Sequence, residues 1–105
     1  VSAATALRMA TLNGAKALGI EELTGSLSIG KAADICAIDL SEIETQPLYN
    51  AISHIVYAAS RHQVTDVWVA GKRCLKNKQL TTLDLQDLRT KIAQWQDKLQ
   101  APINA

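Results

Sequence analysis

The chain has 105 residues, 48% of them apolar, with no Phe and only 4% aromatics, so any core it holds is built from Leu, Ile, Val and Ala. Its net charge is +1 and no run of Lys or Arg exceeds two residues, which argues against a nucleic-acid or anionic-membrane surface. No apolar run approaches the roughly 20 residues of a membrane helix and no charged-then-apolar leader opens the chain, which predicts a cytoplasmic protein of one domain at most.

Residues 2–18 read as a helix. Ser2 stands at its N-cap position, and the interior is rich in Ala, Leu and Met, all good helix formers. Leu7, Ala10, Gly14 and Leu18 fall on one stripe at helical spacing. Gly14 has no side chain and so predicts a close backbone approach there. Gly19 follows as a left-handed C-cap with Ile20 behind it. Glu21 to Thr24 is a polar connector.

Gly25 to Leu40 reads as two short strands joined by a tight turn. Leu27 and Ile29 alternate with Ser26 and Ser28, the period-two pattern of a half-buried strand. Gly30-Lys31 breaks the pattern, and Ile35-Cys36-Ala37-Ile38 is the continuous apolar run of a strand covered on both faces. Asp34 precedes that run, where a short carboxylate can accept bonds from nearby turn N–H groups and fix the strand's entry. No acid, base or ligand neighbours it in sequence, so its role is read as structural.

Ser41 to Asn50 is a loop, with Pro47 excluding a central strand. Ala51 to Ala59 reads as a short helix. Val64 to Val69 alternates as a strand, Ala70-Gly71 turns, and Lys72 to Leu75 returns. Ala at the first turn position disfavours a type I′ hairpin, which needs positive φ at both central residues, and predicts a type I turn with a Gly bulge instead. Asn77 to Gln79 closes this piece. Cys36 and Cys74 both lie in predicted strands and are expected as reduced, buried thiols.

Thr82 is placed to cap a final helix running to about Gln100. Leu85, Leu88, Ile92, Trp95 and Leu99 repeat at helical spacing as a clean apolar stripe. Asp84 and Asp87 favour the positive end of the helix dipole, and Pro102 is read as lying just beyond the stop. Such a stripe is worth on the order of 10 kcal/mol if buried, before entropy, so the helix is expected to dock on something.

No complete catalytic constellation is present in the sequence. Metal-dependent hydrolysis needs convergent His and carboxylate ligands, and the chain offers only His54 and His62, with no His-x-His or His-Glu-x-x-His. His54 is expected to pack beside Tyr57, and His62 to be exposed next to Arg61. Neither Cys has a neighbouring His, no Gly-x-Ser-x-Gly elbow occurs, and Gly25 and Gly30 form no phosphate-binding fingerprint. Val1 opens the chain and Met9 is its only methionine, which predicts a piece of a longer protein.

The stretch Gly25-Ser26-Leu27, Gly30-Lys31, Ala33-Asp34-Ile35, an apolar run and Asp39 resembles the C-terminal segment of metal-dependent amidohydrolases. Ala6 to Gly19 looks like the last helix of that superfamily's (β/α)8 barrel. Thr45 to Ala59, with Val64 to Lys72 after it, resembles one branch of it: the methylthioadenosine/S-adenosylhomocysteine deaminases and related chlorohydrolases. Asn50-Ala51 departs from the Asp-Pro usual there and Ala70-Gly71 from Asn-Gly, both at turn positions.

The resemblance implies an α+β fragment in three parts. Residues 1–20 would be the terminal barrel helix, 21–80 the C-terminal part of a small β-sandwich, and 81–105 a docked amphipathic helix. It also implies a parent enzyme that hydrolyses an amino-purine nucleoside or triazine-like ring at a C–N or C–Cl bond, using a divalent metal, zinc by expectation. The family's metal ligands and catalytic Glu belong upstream of Ala3, so no catalytic, substrate-binding or metal residue is assigned here. The expected partners are the N-terminal remainder of the parent chain, the parent's small-molecule substrate and further copies of the same chain, joined by strand-edge pairing, helix packing or exchange of a terminal helix, with the Leu85–Leu99 stripe as the first candidate contact; nucleic acid and membrane are not expected. The competing reading is a free-standing small α+β interaction module without catalysis.

Overall fold

The computed structural model describes residues 1–104. The first helical stretch is two helices, α1 (Ala3–Ala10) and α2 (Leu12–Ala17), rather than the single helix expected over 2–18. Ser2 caps α1 as expected, its Oγ accepting from the Thr5 N–H at 3.1 Å. Thr11 breaks the run. Its hydroxyl donates back to the Leu7 carbonyl at 2.8 Å, a local bond that competes with the helix ladder, and its backbone leaves helical space at φ −119°, ψ −92°. Gly19 closes α2 at φ +73°. The Ile20 N–H reaches the Ala15 carbonyl at 2.9 Å and the Gly19 N–H that of Lys16 at 3.0 Å, the paired bonds of a Schellman cap.

Residues 21–34 form turns and bends only. The strand expected over Ser26–Ile29 is absent, and Leu27 and Ile29 point into solvent. Alternation marks a strand only where a second strand takes its backbone bonds, and none among the described residues lies alongside. The close backbone approach expected at Gly14 is present, with the Met9 carbonyl oxygen 3.3 Å from where a Cβ would stand, and a tighter one occurs at Gly25. A Cβ on Gly25 would stand 2.7 Å from the Ala15 Cβ and 3.2 Å from Leu12 Cα and the Thr11 oxygen, at φ +98°.

Four strands follow in one antiparallel sheet, in the order β1 (Ile35–Ile38), β2 (Val64–Val69), β3 (Lys72–Lys76) and β4 (Gln79–Leu80). Cys36 sits opposite Val67, and Val67 opposite Leu75, with a bulge on each side of β2. The β2–β3 turn corrects the expected type I turn with a bulge. Val69 pairs with Lys72, and Ala70 and Gly71 both take positive φ, +51° and +80°. This is the left-handed pair of a type I′ turn, whose twist matches the flanking strands, and the register holds Ala70 there. A second such turn at Asn77-Lys78 adds β4, where the sequence had shown only an ending. Cys36 is exposed and Cys74 half-buried, both free, correcting the expected buried pair: nothing among the described residues covers this side of β1.

Between β1 and β2 the chain makes a short 3-10 turn at Ile43–Thr45 and the expected helix, α3 (Ala51–Tyr57). Asn50 caps α3 through its side-chain oxygen, 3.1 Å from the Ser53 N–H, and α3 packs on α1. The last helix, α4, spans Leu85–Asn104. Its cap is Asp84 rather than Thr82, with Oδ1 accepting from the N–H groups of Gln86 at 2.9 Å and Asp87 at 3.2 Å. Pro102 lies within α4 rather than beyond it.

The layers these elements need are largely missing. Ala15 is the only buried apolar side chain among the described residues. The radius of gyration is 18.4 Å, against about 13 Å for a closed domain of this length. The accessible surface is 8149 Å², against roughly 5,700 Å² for a folded monomer of this mass. The structure is a small α+β assembly with broad apolar faces uncovered.

Candidate functional site

The polar groups that converge in this chain do so to hold its parts together. Asp34, at the mouth of β1, accepts from the Ala70 N–H at 2.8 Å and from the Thr24 hydroxyl at 2.7 Å. The sequence placed this carboxylate correctly as a structural acceptor. Its backbone partner, however, lies in a hairpin turn 36 positions away rather than in its own turn. The Ala70 N–H above all, and then the Thr24 hydroxyl, hold its carboxyl below the usual range. Both oxygens are engaged and the ionised form is favoured, so Asp34 is poorly suited to serve as a general base near neutral pH.

A second network, which the sequence did not disclose, joins the far end of β1 to the start of β2. The Gln63 side chain is 2% exposed. Its oxygen accepts from the Ser60 N–H at 2.9 Å, and its amide donates to the Asp39 carbonyl and the Thr45 hydroxyl, each at 3.0 Å. Thr45, fully buried, donates in turn to the Leu40 carbonyl at 2.7 Å. The one local signal was Ser60 three residues before Gln63, a capping box. The longer-range partners had none.

The third group lies on the sheet. Asp66, 7% exposed, accepts from Arg73 Nε at 3.0 Å and from its Nη2, and also from the Asn77 N–H at 3.4 Å. The Arg73 bond, then that of Thr65, holds its carboxyl below the ordinary range. The same guanidinium lies 5.2 Å from the centre of the Trp68 ring, opposite it across the strands, a cation–π contact. Asp39 is lowered too, by the Ser41 hydroxyl and then the Ser41 N–H.

The two histidines are not brought together. His54 is held by backbone oxygens. Its ring nitrogens lie 2.8 Å from the Asn50 carbonyl and 3.1 Å from that of Pro47, which ties the loop to α3. His62 is exposed in the turn before β2, as expected. Among the described residues no three His, Cys, Asp or Glu side chains stand close enough to hold a metal ion. One concavity, about 540 Å³, is an open apolar groove between α2 and β1, lined by Gly14, Ala15, Leu18, Leu27, Ile35 and Cys36. Asp34 stands in its wall with both oxygens already bonded. No helix among the described residues is long and apolar enough to cross a membrane.

Comparison with known proteins places this geometry. The sequence model of the amidohydrolase family matches residues 1–74. A 5-methylthioadenosine/S-adenosylhomocysteine deaminase of Teredinibacter turnerae is 46% identical over 101 residues, which are 96% of this chain and 23% of that protein. The crystal structure of an adenosine deaminase from Xanthomonas campestris with bound zinc superposes with a TM-score of 0.91 at 49% identity, covering 94% of this chain and 23% of the other. The structure of an atrazine chlorohydrolase from Arthrobacter aurescens, complexed with zinc, gives 0.78 at 27% identity over 86% of this chain and 20% of that one. The chain thus spans about a quarter of the length of the relatives it matches.

Proposed function

The chain belongs to the amidohydrolase family, and from that premise we propose that it is the C-terminal structural part of a longer metal-dependent hydrolase. That enzyme deaminates an amino-purine nucleoside, or removes chloride from a triazine-like ring. The observation that carries the reading is a disproportion: similarity covers nearly all of this chain but only about a quarter of its deaminase relatives.

Zinc accompanies both solved relatives, the deaminase and the chlorohydrolase. The described residues do not fit such an ion: no three His, Cys, Asp or Glu side chains converge, Asp34, Asp39 and Asp66 are spent on Ala70, Ser41 and Arg73, and His54 faces carbonyl oxygens. The ligands and the catalytic groups therefore belong to the remainder of the polypeptide. The work of this part is architectural. In this reading residues 1–20 end the barrel, 21–80 contribute part of a β-sandwich, and 81–105 dock on the body. The free thiols of Cys36 and Cys74 suit a reducing cytoplasm. The isolated piece self-associates by strand-edge pairing, helix packing or exchange of a terminal helix, with the exposed Leu85–Leu99 stripe as the first candidate contact, and nothing in the structure favours a free-standing interaction module.

The test is a matched pair of proteins. The full-length polypeptide should carry tightly held zinc and release ammonia from an amino-purine nucleoside, and residues 1–105 alone should do neither. Stoichiometric zinc on the short piece, lost in His54→Ala or His62→Ala, would overturn the assignment.

A further inference from the structure

The His54 ring meets two acceptors and no donor. It is half-buried on α3, with Nδ1 2.8 Å from the Asn50 carbonyl oxygen and Nε2 3.1 Å from that of Pro47. A backbone carbonyl has lone pairs and no proton to give. The Asn50 oxygen already accepts the His54 backbone N–H at 3.1 Å as well. A neutral imidazole carries one N–H and one bare lone pair. In either tautomer, therefore, one ring nitrogen would turn its lone pair on an oxygen lone pair at hydrogen-bond distance. Only the imidazolium, with a proton on each nitrogen, satisfies both contacts.

The charge has no carboxylate to lean on, since among the described residues His54 enters no ion pair. Helix α1, which packs on α3, brings one charged side chain, Arg8, which lines a shallow groove with Ile52. Helix α3 itself adds only Tyr57, and the 3-10 turn before the loop carries Glu42 and Glu44 at its start. The two carbonyl dipoles are thus the partners of the ring, and bonds to a charged donor are roughly twice as strong as neutral ones.

We infer that His54 is a proton-dependent clasp. As imidazolium it donates from both nitrogens and ties the loop at 47–50 to α3. When either proton leaves to solvent, one carbonyl is released and the loop is held from one side only. The direction follows from the charge: the clasp is complete in acid and is lost as pH rises, the reverse of a carboxylate contact. The loop it holds carries the exposed Leu48 and Tyr49, so the ring's charge sets how firmly that apolar surface is fixed. The inference stands on these residues whatever the parent enzyme hydrolyses.

Hydrogen exchange over residues 48–55 of the full-length polypeptide tests it. Corrected for the intrinsic chemical rate, exchange should quicken about tenfold between about pH 5 and about pH 8, the span in which histidine changes charge. His54→Arg keeps a charged double donor throughout that span, so it should stay protected with no pH step. His54→Gln keeps one donor group and no charge, and should exchange fast at both ends. At the acid end the ring of the unaltered protein should show two N–H protons that exchange slowly with water. A single such proton with the loop still protected would overturn the inference. So would an equal pH step in His54→Gln, or no step in the unaltered protein. If both variants fail to fold, the ring spectrum and the pH series on the unaltered protein decide. Metal lost from the parent in acid would quicken exchange at the acid end, opposite to the expected step, so failure of the metal reading and failure of the clasp remain distinct.

Discussion

The middle of the molecule and its last helix are built on opposite terms. From Thr24 to Lys78 the chain closes on itself by polar bonds between distant residues: Asp34 to Ala70, Gln63 to Asp39 and Thr45, Asp66 to Arg73. Helix α4 has a good cap and an i,i+4 ion pair, yet its apolar stripe meets nothing extensive. A fold can thus be well specified locally while the hydrophobic layer that dominates stability is largely missing among the described residues. Polar clasps set geometry in the middle region. Among the described residues neither region finds the apolar burial it needs.

Gly25→Ala should break the contrast most severely. The new Cβ meets Ala15, Leu12 and Thr11 at a positive φ, so strain and overpacking together should cost about 3 kcal/mol or more. Denaturant unfolding of the full-length polypeptide checks this, and α4, which does not touch Gly25, should keep its local exchange pattern below the unfolding transition. Gln63→Leu comes next. It leaves the Ser60 N–H, the Asp39 carbonyl and the Thr45 hydroxyl without their buried partner, for a loss of about 2 kcal/mol. An unchanged midpoint would show that water replaces all three bonds. The smallest effect is the pH dependence of the Asp34 clasp. Its folded carboxyl titrates below the ordinary range, so its contribution is complete above the unfolded value, near pH 4, and is lost as pH falls through the folded value. Asp34→Asn should therefore flatten the fall of melting temperature on the acid side and leave its neutral-pH slope unchanged. An identical acid profile in the variant would remove Asp34 from the clasp.

What could be read in advance follows from range. Gly19, the β2–β3 hairpin, α3 and α4 are encoded within a few residues of themselves, by a left-handed cap, alternation and helical spacing. Their positions held, with errors only in detail: Asp84 took the cap expected of Thr82, and Ala70 accepted a positive φ that its own preference resists. Thr11 showed how little it takes to divide a helix, one hydroxyl returning to a carbonyl beside a closely packed glycine. The candidate site was legible as to Asp34's role, and obscure as to its backbone partner. Gln63 and Thr45 carried no long-range sign, because a buried amide looks like any other Gln until the chain brings its acceptors together.

By itself the sequence determined the local elements, the family resemblance and the two apolar patterns, at Leu27–Ile29 and at Leu85–Leu99. Those patterns record a burial that these residues do not perform, since alternation and helical stripes are written by whatever finally covers them. Only the tertiary structure decided that residues 26–29 stay unpaired, that the tightest approach is at Gly25 and that Asp34 grips Ala70. Each of these depends on where a distant backbone donor, acceptor or carbon atom comes to rest, and no short-range preference encodes that position.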